Sequence, residues 1–129
     1  MSRWCAALAL AALAAAQQEP VPREEDESLT EAKRYSFNPL QAQKELQIGN
    51  FYFKKGSYRA AAQRFLEATK WDASLAEAWG RLGETEEKQR NLKSARAAYA
   101  KYLELAPEGK YAAQARKRMA SLEKATKTL

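Results

Sequence analysis

Residues 42–75 read AQKELQIGNFYFKKGSYRAAAQRFLEATKWDASL, and residues 76–109 read AEAWGRLGETEEKQRNLKSARAAYAKYLELAPEG. Aligned without a gap, the two stretches place similar residues 34 positions apart. The clearest pairs are Ile48 with Leu82, Gly49 with Gly83, Ala61 with Ala95, and Phe65 with Tyr99. A fixed period of this length is typical of repeat proteins built from helix–turn–helix units. Such units stack and leave a concave surface, which favours a binding function over a catalytic one.

Capping and turn residues divide the sequence from residue 38 onward into five predicted helices. Asn38 is a good N-cap, and Gln41 three residues later can complete a capping box. Gly56 ends the first helix, and Asn91 is predicted to take the left-handed conformation in a later turn. The predicted caps of the second and third helices are Ser57 and Asp72. The predicted helices cover residues 39–54, a second ending at Trp71, 73–89, a fourth ending at Ala106-Pro107, and 108–125, the last with Ala112, Ala115, Met119 and Leu122 on one stripe.

The paired residues resemble the signature of the tetratricopeptide repeat family. The residues at signature positions are Gly49, Tyr52, Ala61, Phe65, Ala68, Trp79, Leu82, Gly83, Ala95, Tyr99 and Pro107. Glu45 departs from this pattern, since it stands where Trp79 stands in the second repeat. The resemblance implies an all-α fold, a short right-handed α-solenoid of antiparallel helix hairpins with five helices. It divides the chain into a first repeat over 38–75, a second over 76–109 and a basic C-terminal capping helix over 110–129.

In this family the first helix of each repeat lines a concave groove. The resemblance therefore implies a non-catalytic scaffold that binds an unknown protein or peptide there. The groove positions are Gln43, Leu46, Asn50, Phe53, Lys54, Glu77, Arg81, Glu84, Glu87 and Lys88. Leu46 and Phe53 are predicted to form an apolar patch for a partner side chain, although Phe53 can instead pack within the protein.

Pairs of opposite charge in the groove have a simpler explanation. Glu77 with Arg81, and Glu84 with Lys88, are spaced for salt bridges on a helix surface. Some family members hold a partner's terminal carboxylate with lysine, asparagine and arginine. Of those positions only Asn50 matches here, the others being Leu46, Arg81, Tyr111 and Ala115. No clamp for a chaperone tail is predicted.

The final helix carries a predicted basic patch, formed by Arg116, Lys117, Arg118 and Lys124. This patch suggests an alternative function, in which the helix binds anionic lipid or an anionic polymer. The simpler interpretation is a solvated cap for the solenoid. Binding to a membrane surface without spanning it and self-association through the repeat edge both stay open. No nucleic acid partner is expected.

Composition limits the chemistry that this chain can perform. The sequence has no histidine and a single cysteine, Cys5, so nucleophile–histidine catalysis and histidine-ligated metal sites are excluded within one chain. Neither a phosphate-binding glycine loop nor a dinucleotide fingerprint is present. No enzyme activity, cofactor or metal is predicted.

The first 37 residues predict export and a spacer. Residues 1–16 have the basic start, apolar stretch and Ala-x-Ala end of a signal peptide, with cleavage predicted after Ala16. The periplasm or cell envelope is then the expected location, as in short bacterial cell-envelope members of the family, with the cytoplasm as the alternative. Residues 17–37 are a predicted disordered acidic linker. Between Glu19 and Glu31 six acids and one arginine give a charge of −5, whereas residues 32–129 carry +10.

Overall fold

The computed structural model describes residues 35–128, so the predicted signal peptide and nearly all of the predicted linker lie outside the described residues. Five helices follow one another: α1 (Pro39–Lys54), α2 (Tyr58–Trp71), α3 (Ala76–Lys88), α4 (Leu92–Leu105) and α5 (Ala112–Lys127). All regular structure in this part of the chain is helical, which confirms the predicted all-α solenoid of five helices. Each helix packs mainly on the helix before it and the helix after it.

Helix α1 begins at the predicted cap, but the capping box is only half formed. The Asn38 side-chain oxygen accepts a hydrogen bond from the Gln41 backbone N–H at 3.0 Å. The Gln41 side chain does not return to Asn38, because it donates to Glu45 at 2.9 Å. The backbone N–H of Asn38 donates instead to the carbonyl of Trp71 at 3.0 Å, which joins the start of α1 to the end of α2.

The other predicted caps act less directly. Ser57 precedes α2 without a side-chain capping hydrogen bond. Asp72 accepts from the backbone N–H of Ser74 at 2.9 Å, so it closes a turn before α3 rather than capping the helix itself. Helix α5 begins at Ala112 and not near residue 108. The preceding residues form turns, in which the Tyr111 backbone N–H donates to the Tyr102 hydroxyl at 2.9 Å.

The turn between the two helices of each repeat uses one left-handed residue. Gly56 has φ 76° in the first repeat, and Arg90 has φ 64° in the second. These residues are 34 positions apart, so they occupy the same place in successive repeats. The prediction that Asn91 takes the left-handed conformation is therefore wrong, since Asn91 has φ −84°. The repeat register decides which residue is left-handed, although Asn91, whose side chain tolerates that conformation better, lies one residue later.

In each repeat, a glycine of the first helix faces an aromatic ring of the second helix. A Cβ atom placed on Gly49 would lie 2.5 Å from the ring of Phe65. A Cβ atom placed on Gly83 would lie 2.8 Å from the ring of Tyr99. The two contacts are related by the same 34-residue shift, so both hairpins are built in one register. A larger residue at either glycine would force the facing ring or the helices to shift.

Two core clusters lie along the solenoid and follow its repeats. One gathers buried residues of α1 to α4 around Phe65, and the other joins α4 to α5 around Tyr99 and Tyr102. In the second repeat, Gly80 leaves space for the Tyr102 ring, which a Cβ there would meet at 3.1 Å. The equivalent positions of the first repeat hold Leu46 and Ala68. The first repeat therefore has its large residue on the first helix and its small residue on the second, and the second repeat has the reverse. The packed volume is similar in both.

Helix α5 corresponds in register to the first helix of a third repeat. Arg116 and Lys117 lie 34 positions after Leu82 and Gly83, which are buried in α3. Both basic residues are exposed in α5. Charged side chains at positions that would face a further helix keep that face hydrated, as expected of a helix that caps a repeat stack.

Candidate partner-binding groove

A row of equivalent side chains marks the groove face of the solenoid. Asn50 in α1, Glu84 in α3 and Arg118 in α5 are each separated by 34 residues, and all three are half-buried. Between α3 and α5 the surface has a depression of about 400 Å³. Its lining residues are Glu84, Glu87, Lys88, Tyr99, Gln114 and Arg118. The groove therefore presents polar and charged groups at regular intervals.

Arg81 connects the two repeats within this groove. Its Nε donates to the Asn50 side-chain oxygen at 2.9 Å, and its Nη1 donates to Glu84 at 2.7 Å. The guanidinium carbon also lies 4.2 Å from the centre of the Phe53 ring, a favourable cation–π distance. Arg81 is thus held on three sides, so Asn50 and Glu84 are fixed in position before any ligand arrives.

A second network joins α3, α4 and α5 at Glu87. The Tyr99 hydroxyl donates to one carboxylate oxygen at 2.9 Å, and Arg118 Nε donates to the same oxygen at 2.8 Å. Arg118 Nη2 donates to the other oxygen, so the guanidinium binds the carboxylate with two nitrogens. The hydrogen bonds from Arg118 hold the pKa of Glu87 below its ordinary value. Burial, with the hydrogen bond to Glu87, raises the pKa of Tyr99.

The predicted apolar patch is not available in the structure. Leu46 is only 3% exposed and belongs to the core cluster of the first repeat, so a partner cannot contact it without displacing core residues. Phe53 is half-buried between the Tyr58 ring, 5.3 Å away, and the Arg81 guanidinium. The alternative that Phe53 packs within the protein is the one that the structure shows.

Four of the predicted groove residues are exposed to solvent. They are Gln43, Lys54, Glu77 and Lys88. The predicted salt bridge between Glu77 and Arg81 does not form, because Arg81 binds Glu84 one turn further along α3. Glu84 is therefore the partner of Arg81, not of Lys88.

Some family members bind a terminal carboxylate through lysine and arginine side chains, and the residues at those positions here do not supply them. Leu46 and Ala115 are buried, and Tyr111 is half-buried beside Tyr102. Gln114, by contrast, lines the depression and was not among the predicted groove residues. It lies 34 positions after Gly80, so extending the repeat register into α5 would have identified it.

The predicted basic patch is divided by the fold. Arg118 is occupied by Glu87 and faces the groove, so it does not belong with the other three residues. Arg116, Lys117 and Lys124 are exposed on α5. Arg116 also donates to the backbone carbonyl of Pro107 at 2.5 Å, which fixes the turn before α5. The exposed patch is therefore smaller than the sequence predicts.

Within residues 35–128, no group of three or more metal-binding side chains is placed to hold an ion. No helix in the same range is both long and apolar enough to cross a bilayer.

Comparisons with known proteins agree with this geometry. Residues 46–75 and 76–108 match the tetratricopeptide repeat, whereas no curated protein matches the chain. Among solved structures, the chain is similar to one described as the TPR2AB-domain:pHSP90 complex of yeast Sti1, with 25% identity and a TM-score of 0.67. The match covers 81% of this chain and 39% of that chain, so this chain spans well under half of its length.

A second solved structure shows a weaker likeness. It is the first TPR of Spaghetti (RPAP3) bound to the HSP90 peptide SRMEEVD, with 18% identity and a TM-score of 0.38. The match covers 70% of this chain and 96% of that one. The repeats are identified by the repeat register, the glycine–aromatic contacts and the two matched segments, and not by this likeness. Residues 46–108 of this chain belong to the tetratricopeptide repeat family, as two consecutive repeats.

Proposed function

We propose that the chain is a non-catalytic interaction module that binds a segment of another protein in the groove of α1, α3 and α5. The observation that carries this proposal is the row of Asn50, Glu84 and Arg118. These three side chains repeat along one face at the same register and remain half-accessible. Repeated polar positions along a concave surface suit an extended ligand better than a small molecule.

The lining favours a polar segment that carries charges of both signs. Leu46 is buried, so the groove offers no apolar anchor to a partner helix. Glu87 and Arg118 largely neutralise each other, and Arg81 binds only one oxygen of Glu84. Among the residues that line the depression, the remaining accessible charges are one Glu84 oxygen and the exposed Lys88 ammonium. A ligand with a basic and an acidic residue would complement these two groups.

The structural neighbours support peptide binding in general but not a shared ligand. The yeast Sti1 domain is described in complex with pHSP90, and its fold covers most of this chain. Of the positions with which some family members hold a terminal carboxylate, only Asn50 matches here, and the others are Leu46, Arg81, Tyr111 and Ala115. We therefore propose an internal segment, and not a free carboxyl terminus, as the ligand.

Selection of a displayed library of random peptides against the full chain tests this function. Peptides that bind should lose about tenfold in affinity, roughly 1.4 kcal/mol, with Lys88→Glu. The matched control is Lys93→Glu, which makes the same charge change at an exposed site between α4 and α5, away from the groove. Failure to select any peptide, or an equal loss with Lys93→Glu, would contradict the proposal.

A second candidate function uses the exposed basic residues of α5 on an anionic surface. Arg116, Lys117 and Lys124 are exposed at the end of the stack, where a partner surface can reach them. Binding to vesicles containing anionic lipid should weaken steeply as salt rises, since the interaction is electrostatic. Lys117→Glu with Lys124→Glu should abolish it. Vesicle binding that survives both substitutions would exclude this function.

Export to the cell envelope stays a proposal that rests on the first 16 residues, which lie outside the described part of the chain. Amino-terminal sequencing of the protein from its native cells tests it. A chain that begins at Gln17 would support export, and a retained Met1 or Ser2 would contradict it.

A further inference from the structure

Among residues 35–128, no helix packs on the outer face of α1, and the composition of this face is unusual. Leu40, Lys44, Gln47, Phe51 and Lys55 follow one another at helical spacing along this face. Leu40 is 84% exposed and Phe51 is 53% exposed. These large apolar side chains are exposed along one helix, with lysines between them. Such a surface indicates that another segment covers it.

The second repeat shows what such a face does when it has a neighbour. Shifted by 34 residues, Lys44 and Phe51 correspond to Ala78 and Thr85, and both of these are 0% exposed. Ala78 is buried in the core cluster centred on the first repeat. The face of α1 is therefore the position at which the stack receives an element from its amino-terminal side.

We infer that the acidic segment 19–31 of this same chain covers the outer face of α1. The segment carries a charge of −5. The face opposite it carries Lys44 and Lys55, with Lys54 beside them. The only acid of α1 is Glu45, which is buried and paired with Arg64 at 3.0 Å. The charges of segment and face are thus complementary, and Leu29 provides an apolar side chain among the acids.

The position of Tyr35 makes this contact geometrically accessible. Its hydroxyl donates to the Glu67 carboxylate at 2.9 Å, and its ring packs edge-on against Trp71 at 5.0 Å. The chain is thereby fixed beside the end of α2, which the hydrogen bond from Asn38 to Trp71 joins to the start of α1. Ten residues of extended chain span roughly 33 Å, whereas α1 with its 16 residues is about 24 Å long. The acidic run at 24–27 can therefore reach every lysine on the face.

Paramagnetic broadening in the full chain tests the inference. A nitroxide label is attached at Ser28→Cys in a chain that also carries Cys5→Ser, so that it has one thiol. We expect the α1 amide signals around Lys44 and Phe51 to lose most of their intensity at low salt. The loss should disappear near 1 M salt, where the screening length falls to about 3 Å.

Charge reversal on the surface identifies the site. Lys44→Glu with Lys55→Glu should restore the α1 signals, and both residues are exposed, so a circular dichroism melt should show an intact fold. Lys117→Glu with Lys124→Glu makes the same change on α5 and should leave the broadening in place. Broadening on α5 instead, broadening that passes to unlabelled copies on mixing, or none at all would each overturn the inference. None of these results depends on whether the groove binds a peptide.

Discussion

Replacing Gly49 by alanine tests the glycine–aromatic contact of the first repeat. The new Cβ would lie 2.5 and 2.6 Å from two ring carbons of Phe65. That is about 1 Å inside an ordinary carbon–carbon contact of roughly 3.5–4.0 Å. The Phe65 ring is fully buried, so it has little room to move. Overpacking of this kind costs about 1–3 kcal/mol, whereas alanine gains about 1 kcal/mol over glycine within a helix.

The net expectation is a loss of about 1 kcal/mol in the free energy of unfolding. For a folded region of this size, such a loss lowers the melting temperature by about 4–8 °C. Thermal and urea unfolding, each followed by the helical signal in far-ultraviolet circular dichroism, would measure this loss. Gly83→Ala should behave alike, since its Cβ would lie 2.8 Å from the Tyr99 ring.

Gly80→Ala is the matched control, because Gly80 is also a buried helical glycine that faces an aromatic ring. Its added Cβ would lie 3.1 Å from Tyr102, so a shift of a few tenths of an ångström would accommodate it. The gain in helix propensity should then offset the strain and leave stability nearly unchanged. If Gly49→Ala proved as stable as Gly80→Ala, the reasoning from the glycine–aromatic contact would be refuted.

Three further changes test other parts of the structure. Arg90→Gly should stabilise the chain by about 0.5–1 kcal/mol in urea unfolding, because Arg90 holds the left-handed conformation that Gly56 holds in the first repeat. Glu87→Gln should flatten the acid limb of stability. The pKa of Glu87 is lower in the folded chain than its ordinary value of 4.5, so its contribution is present above that pH and lost as pH falls through the folded pKa. Deletion of residues 110–129 should abolish cooperative unfolding in thermal melts, since it uncovers Tyr99 and Tyr102.

Each of these predictions has a contrary outcome. Asn91→Gly alters the residue after the left-handed position and should not stabilise the chain; a gain equal to that of Arg90→Gly would contradict the register argument. If the stability of Glu87→Gln fell with decreasing pH as steeply as that of the wild type, Glu87 would not be paired in solution. A truncated chain that still melts cooperatively would show that α5 is dispensable.

The architecture could be predicted because it depends on short-range spacing. Gly49 and Gly83, with Phe65 and Tyr99, are recognisable in the sequence, and their contacts need only the 34-residue register to be placed. The same register assigns the left-handed position to Arg90, the equivalent of Gly56, whereas the preferences of single residues assign it to Asn91. Local propensity and register disagreed there, and register prevailed.

The details of the groove could not be read from the sequence in the same way. Leu46 occupies a groove position by register but points into the core, because the small residue Ala68 opposite it leaves space. Arg118 and Glu87 lie 31 residues apart, and nothing in their spacing distinguishes this pair from other charges on α3 and α5. Side-chain choices among competing partners depend on distances that only the folded chain defines.

The succession of helices has a kinetic consequence. Because each helix packs mainly on its neighbours in sequence, the contacts between helices join segments that are close together along the chain. Contacts of this kind close small loops, and helical proteins of such low contact order fold in microseconds to milliseconds. A hairpin can nucleate anywhere and recruit the next, and the ends of the array should fray before its centre melts.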